Sequence, residues 1–205
     1  MSVLFIVDDE CGNGHVMRCG AIRDDLAAMG VASEVWTGEA EEILRAQVIV
    51  VDDYGLGWPL IAQEWGDIGI IVIDDFAPGR RTWPAGTVVI APVGEYAIVR
   101  QAIRRLKGTP KNISHLRVER GSIEAVSGEP LGLFGGFACC LATGRRVSCP
   151  ASLVAIEAAY LDCELELRVD VPNQQRTYDW LMSGGRPDGL GSVRIAKIIK
   201  DMVEP

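Results

Sequence analysis

Gly12-Asn13-Gly14-His15-Val16-Met17-Arg18-Cys19 joins a short apolar run to an amphipathic segment and carries one of only two histidines in the chain. Glycines let a backbone approach a ligand without a Cβ in the way, and the N–H groups that open a helix attract anions. An imidazole exchanges a proton near neutral pH. Gly12, Asn13 and Gly14 are therefore candidate substrate contacts, and His15 is a candidate general base. Arg18, one helical turn beyond His15, either ties that helix to an aspartate or meets a phosphate.

Three acidic tips belong with this turn. Asp8-Asp9, Asp52-Asp53-Tyr54 and Asp74-Asp75 each follow an apolar run directly. Any one such aspartate would pass for a turn cap. Three on one rim beside a histidine make a site the better reading. Asp8, Asp53 and Asp75 are the candidates to orient the imidazole or meet a ligand, with Asp8 and Asp75 beside His15 in the catalytic group and Asp53 and Tyr54 as substrate contacts. A divalent cation prefers oxygen ligands as well, but these pairs stand in separate loops without compact ligand spacing, so no metal is expected.

The elements that must position these residues are legible as a change of period. Val3–Val7, Val48–Val51, Ile70–Ile73 and Thr87–Ile90 are β-branched runs that read as strands buried on both faces, as in a parallel sheet. Val16–Met29 repeats apolar residues at helical spacing and stops at Gly30, and Trp58–Trp65 reads as a shorter helix with Pro59 in its first turn. Strand and helix in alternation give a doubly wound α/β domain, whose ligands sit beyond the carboxyl ends of the strands. That is where the glycine turn and the aspartates fall.

The second half is less regular. A helix is expected over Tyr96–Leu106, a connection over Gly108–Asn112 that leaves His115 on a polar surface, and a strand over Leu131–Gly136 ending in a glycine turn. Helices are expected over Ser152–Leu161, from Asn173-Gln174 through Trp180 and Leu181, and over Ser192–Met202, with a strand over Leu165–Val169. Ser148 and Ser152 lie near the start of a helix that carries Glu157 one turn in, a pattern like the phosphate-and-ribose end of a nucleotide site. Buried helix glutamates also form structural ion pairs.

Composition narrows the classes. Apolar residues make up 48% of the chain and no apolar run approaches a membrane span, so a folded globular protein without a spanning segment is expected. Val3–Val7 is too short for a signal-peptide core and lacks a basic leader, which points to the cytoplasm. A formal charge of −8 speaks against nucleic acid as a partner. A basic cluster at Arg100, Arg104, Arg105, Lys107 and Lys111 stands inside that acidic average, either facing a phosphate or forming a solvated helix face. The 6 cysteines contain no CxxC pair and read as reduced structural thiols.

Gly12–Cys19, the segment VDDYGLGWPLIAQEW and the segment IVIDDFAPGR stand in the order found in the amino-terminal domain of a pseudaminic acid pathway family. Members of that family hydrolyse a UDP-linked diacetamido-trideoxy sugar. The chain resembles that family over roughly its first hundred residues, and Ala91–Arg100 resembles the junction into the family's second domain. The resemblance implies a GT-B glycosyltransferase-like fold: a Rossmann-like domain over 1–92 and a reduced, parallel-sheet, nucleotide-binding-like domain over 93–205, one or two βα units short. It also implies roles. Glu157 would accept hydrogen bonds from ribose hydroxyls, Asn173 and Gln174 would line the sugar side of the cleft, and the diphosphate would lie near Ser148–Ser152.

Three readings follow from the resemblance. One is a nucleotide-sugar hydrolase for a UDP-linked sugar, with His15 activating water and no cofactor. The second is a transferase using a hydroxyl acceptor, and the third is a sugar- or nucleotide-binding protein without turnover. Fold does not separate them. A shortened second domain would also leave apolar surface for a partner chain, so a homodimer is a further expectation.

Overall fold

The computed structural model describes residues 2–7, 13–38, 40–53, 68–76, 82–119, 122–126 and 136–204. The expected helix Trp58–Trp65, the expected strand Leu131–Gly136 up to its last residue, and Asp8, Gly12 and Tyr54 lie outside the described residues. The chain divides into two compact units, one formed by Met1–Pro92 with Gly191–Pro205 and the other by Val93–Leu190.

The first unit is a parallel five-stranded sheet of β1 (Val3–Val7), β2 (Ser33–Val35), β3 (Val48–Asp52), β4 (Gly69–Ile73) and β5 (Val88–Ile90), in the order β2-β1-β3-β4-β5. This is Rossmann-like α/β architecture. Alternation along the strands divides two apolar layers. Leu4, Ile6, Ile49, Val51, Ile70 and Val72 pack with Ile43 and Ala46, at and just after the helix α2 (Ala40–Arg45). The opposite face, carrying Val3, Phe5, Val48 and Val50, is the side of the helix α1 (Asn13–Ala28). The chain reverses its winding between β1 and β3, which in this strand order is the topological switch point where ligands bind.

The carboxyl-terminal helix corrects the expected division of the chain. Counting α3 (Gln101–Arg104), α4 (Phe137–Thr143), α5 (Leu153–Tyr160) and α6 (Gln175–Met182), that last helix is α7 (Gly191–Val203), and it belongs to the first unit rather than to a domain running to residue 205. Its buried stripe of Ile195, Ala196 and Ile199 packs against α1 and β3, burying apolar area that the first sheet leaves open on that face. Lys200 Nζ donates to the Met29 carbonyl at 3.2 Å, so α7 ends beside the end of α1 and runs alongside it.

The second unit holds a four-stranded sheet ordered β7-β6-β8-β9, from β6 (Ile113–Glu119), β7 (Ser122–Ala125), β8 (Gly144–Pro150) and β9 (Glu164–Arg168). β6, β8 and β9 are parallel and β7 is antiparallel at one edge, so the expectation of a purely parallel second sheet is corrected. One face supplies Leu116, Val118, Val147 and Cys149 to a core shared with α3, α4 and α5. The other presents Arg117, Glu119, Arg146, Glu164 and Glu166 to solvent, with His115 and Ser148 half-buried among them. His115 is thus a strand residue, not part of a connection. Gly144, where β8 begins, is needed for close approach: a Cβ there would lie 2.5 Å from Leu116 Cδ1.

The expected helix over Tyr96–Leu106 is also corrected. A 3-10 turn spans Gly94–Tyr96 and the single turn α3 follows, while Ala97 and Arg100 are extended with ψ of 115° and 146°. Ile98 and Val99 are β-branched, prefer extended backbone and are fully buried there, so packing wins over helical continuation. Asn173 and Gln174 likewise sit in a 3-10 turn, Pro172–Gln174, ahead of α6.

Candidate functional site

Positions i, i+3 and i+4 of a helix share one face, and in α1 these are His15, Arg18 and Cys19, all buried. Asp52 is the last residue of β3 and shares the parity of Val48 and Val50, the side toward α1. Helix periodicity and strand alternation therefore bring four polar side chains together at the carboxyl edge of the sheet, at the switch point.

The geometry is tight. His15 Nδ1 lies 2.6 Å from Asp52 Oδ1. Arg18 grips the same carboxylate with two groups, Nε donating to Oδ2 and Nη2 to Oδ1, and its Nη1 reaches both oxygens of Asp75 at 2.7 and 2.8 Å. Cys19 Sγ approaches Asp52 Oδ2 at 3.4 Å. Asp52 is fully buried, and burial by itself would raise its pKa; the Arg18 charge and the hydrogen bonds from Arg18 and His15 outweigh that and hold the carboxyl well below the usual carboxylate range. With Asp52 ionised, the short contact requires the proton on Nδ1, so the neutral imidazole carries its lone pair on Nε2. Arg18 Nη2, 3.2 Å from Nδ1, is then a neighbouring cation rather than a donor to that nitrogen. The Cys19 thiol is pushed well up by burial and by the Asp52 charge, so it stays protonated and acts as a weak donor.

The aspartate that orients the imidazole is therefore Asp52, which the sequence reading passed over for Asp8, Asp53 and Asp75. The missing signal was strand parity: extending the alternation of Val48 and Val50 by one step puts Asp52 on the helix side and Asp53, half-buried, on the other. Asp75 meets Arg18, taking one of the two ends between which that arginine is stretched. Asp74 accepts from the Phe76 N–H at 2.9 Å, a turn-capping contact. Asn13 and Gly14 open α1 on its exposed side, and a Cβ at Gly14 would meet nothing within 4 Å among the described residues. Among the described residues, no group of three or more His, Cys, Asp or Glu side chains is placed to hold a metal ion.

In the second unit Glu157 is committed elsewhere. It is fully buried; Arg100 Nε and Nη2 each donate to one of its oxygens at 2.7 Å, and the Arg100 backbone N–H adds a third bond at 3.3 Å. This is the ion-pair form of a buried helix glutamate, and a ribose could engage it only by opening that pair. The hydrogen bond from Arg100 to Glu157 also raises the guanidinium pKa. Ser148 projects from the polar face of the sheet, not toward a helix start: it donates to Glu166 Oε2 at 2.6 Å and lies 2.6 Å from His115 Nε2. Ser152 stands at the N-cap of α5 without a side-chain cap bond. Gln174 Oε1 accepts from the Asp170 N–H at 2.8 Å, and Asn173 is half-buried beside it.

Thus the structure gathers His15, Arg18 and Asp75 into one cluster with Asp52, and distributes Ser148, Ser152, Glu157, Asn173 and Gln174 over different parts of the second unit. Comparison of the chain with protein-family models and with curated proteins returns no match.

Proposed function

We propose that the chain is a nucleotide-sugar hydrolase acting on a UDP-linked amino or deoxy sugar, with His15 as the base that activates water. The observation that carries this reading is the hydrogen bond from His15 Nδ1 to the buried, ionised Asp52 at the β1/β3 switch point. It fixes the tautomer that presents a lone pair at Nε2. In the proposed step Nε2 takes a proton from water as its oxygen attacks the anomeric carbon. The bond from that carbon to the phosphate oxygen breaks, and UDP leaves with the electron pair. His15 is 6% exposed, so it meets substrate over a narrow edge, away from bulk water. Arg18 and Asp75 hold α1 and the end of β4 in register around it.

A second reading is sugar or nucleotide binding without turnover, in which a nucleotide ribose would meet Glu157 only after the Arg100–Glu157 pair opened. The test is UDP release from UDP-linked N-acetylated amino sugars by the purified protein. Wild type is expected to release UDP, and His15→Ala to slow release by about 10²- to 10⁴-fold, the usual contribution of a positioned base. Release only on addition of a hydroxyl acceptor assigns a transferase instead. No release with any donor, together with a thermal shift on adding UDP, leaves the binding reading; no release and no shift overturns both.

A further inference from the structure

The helix α7 opens on a buried hydroxyl. Ser192 is fully buried, and among the described residues its Oγ has no hydrogen-bond partner. It stands in the first turn of a helix of 13 residues, where the backbone N–H groups have no partner within the helix and form the positive end of its dipole. Its Cα–Cβ bond, like every one in a helix, tilts toward that end. We propose that the first turn of α7 is a phosphate subsite on the edge that carries His15, taking the phosphate joined to the sugar. The proposal rests on the nucleotide-sugar reading given above.

The level at which α7 begins follows from where it ends. Met202 lies over Gly69, where an added Cβ would stand 2.7 Å from its Cε, and Gly69 pairs with Val48 at the amino ends of β4 and β3. Lys200 fixes the same end of α7 to the end of α1. From Met202 back to Ser192 the helix rises about 15 Å at roughly 1.5 Å per residue, and β3 rises about 13 Å from Val48 to Asp52 at roughly 3.3 Å per residue. The start of α7 therefore stands level with Asp52, at the carboxyl edge of the sheet. Ser192 also falls on the buried stripe of Ile195, Ala196 and Ile199, which packs against α1 and β3. That is the side of the sheet on which His15 and Arg18 meet Asp52.

The chemistry of this turn suits an anion. A serine hydroxyl donates to a phosphoryl oxygen, and the N–H groups of the turn point out of the helix end toward the same ligand. A hydroxyl closed off from solvent without an acceptor is costly, and a phosphoryl oxygen removes that cost. The subsite opens to its ligand and then keeps water out. In the proposed reaction negative charge gathers on the phosphate oxygen as its bond to the anomeric carbon breaks, and donors fixed beforehand by α7 stabilise it. Asp52 and Asp75, the carboxylates of the cluster, are both engaged by Arg18. Ser148, the residue expected near the diphosphate, donates to Glu166 instead.

The experiment is calorimetric titration of the full chain with UDP and with uridine, for wild type and Ser192→Ala. Wild type is expected to bind UDP, and Ser192→Ala to bind it roughly 10- to 100-fold more weakly, the range for one hydrogen bond to a charged group. Uridine carries no phosphate and should treat both proteins alike. The ligand-free variant should melt at the wild-type temperature or above it, since among the described residues the hydroxyl has no partner to lose. Equal UDP affinity in the two proteins, an equal loss for uridine, or a ligand-free variant that melts well below wild type overturns the proposal. Wild type that binds UDP through Ser192 but releases none from any UDP-linked sugar supports the subsite and removes the hydrolase reading. Wild type that binds no UDP overturns the subsite and the nucleotide reading together.

Discussion

Replacing Asp52 by asparagine keeps the shape of the side chain and removes the charge on which the first unit's polar cluster is built. Oδ1 accepts from His15 and Arg18, and Oδ2 from Arg18 and Cys19, so four donor contacts converge on two oxygens. Asparagine offers one acceptor and an NH₂ group, and either orientation points that NH₂ at the Arg18 guanidinium. Removing one partner of a buried ion pair costs about 3–5 kcal/mol. Arg18 keeps Asp75, whose side chain is 14% exposed, so the lower end applies, about 3 kcal/mol. With a urea dependence of roughly 1–3 kcal/mol per molar, the unfolding midpoint of the first unit should fall by about 1–3 M. Urea titration followed by circular dichroism measures this. A double-mutant cycle with Arg18→Met adds a second check, since losing both charges leaves neither one buried alone, and the double change should cost less than the sum of the singles. A midpoint within about 0.3 M of wild type, below what any buried ion pair would leave, refutes the reasoning.

Two further outcomes follow from the same electrostatics. Asp52 has a folded pKa depressed below its ordinary value, so its contribution to stability is complete above about pH 4 and is lost as pH falls toward the depressed value. The gap between the urea midpoints of wild type and Asp52→Asn should thus be constant at higher pH and narrow below about pH 4; a gap unchanged down to pH 3 contradicts the assignment. Burial pushes the Cys149 thiol up to about 12 and the buried Cys19 thiol well up, whereas Cys139 is exposed, so an alkylating reagent at neutral pH should modify Cys139 well before either. Mass spectrometry of timed digests reads the order, and early labelling of Cys149 would show that its pocket opens in solution.

The first unit was legible because its signals are strong and agree. Continuous β-branched runs specify strands buried on both faces, and one amphipathic helix between the first pair fixes the parallel winding. The second unit was not, because its strands have one wet face. In Ile113–Glu119 the buried residues are Ile113, Leu116 and Val118, which do not fall on one alternating set, and Ser114, His115, Arg117 and Glu119 dilute the pattern until it reads as a polar connection. Leu116 and Val118 alone alternate, and period two over so few apolar residues is a faint signal. Asp52 and Asp53 failed for another reason. Both belong to an acidic tip, and deciding which one faces the helix requires knowing that the strand runs one residue further than its apolar stretch, to Asp52 itself. Glu157 shows the limit of carrying a role by position: the helix, the turn and the spacing are all present, but Arg100, over fifty residues earlier in the chain, is what the carboxylate meets. Sequence spacing does not report a long-range partner.

The two buried ion clusters differ in a way that bears on where chemistry can occur. Glu157 and Arg100 are one anion and one cation, hydrogen-bonded to each other through both carboxylate oxygens, so the two charges balance. A proton or a further charge delivered there would unbalance it. In the first unit Arg18 is shared between Asp52 and Asp75, so among the described residues two carboxylates meet one guanidinium beside the imidazole of His15. Positive charge developing on His15 in the proposed step would lie beside both carboxylates. The cation that a general base must become is therefore accommodated by charges already in place, without solvent having to rearrange around it. An arginine that served only to brace the helix would need one carboxylate. The second carboxylate adds negative charge beside His15, which supports placing the proposed base there and not on the glutamate of the second unit.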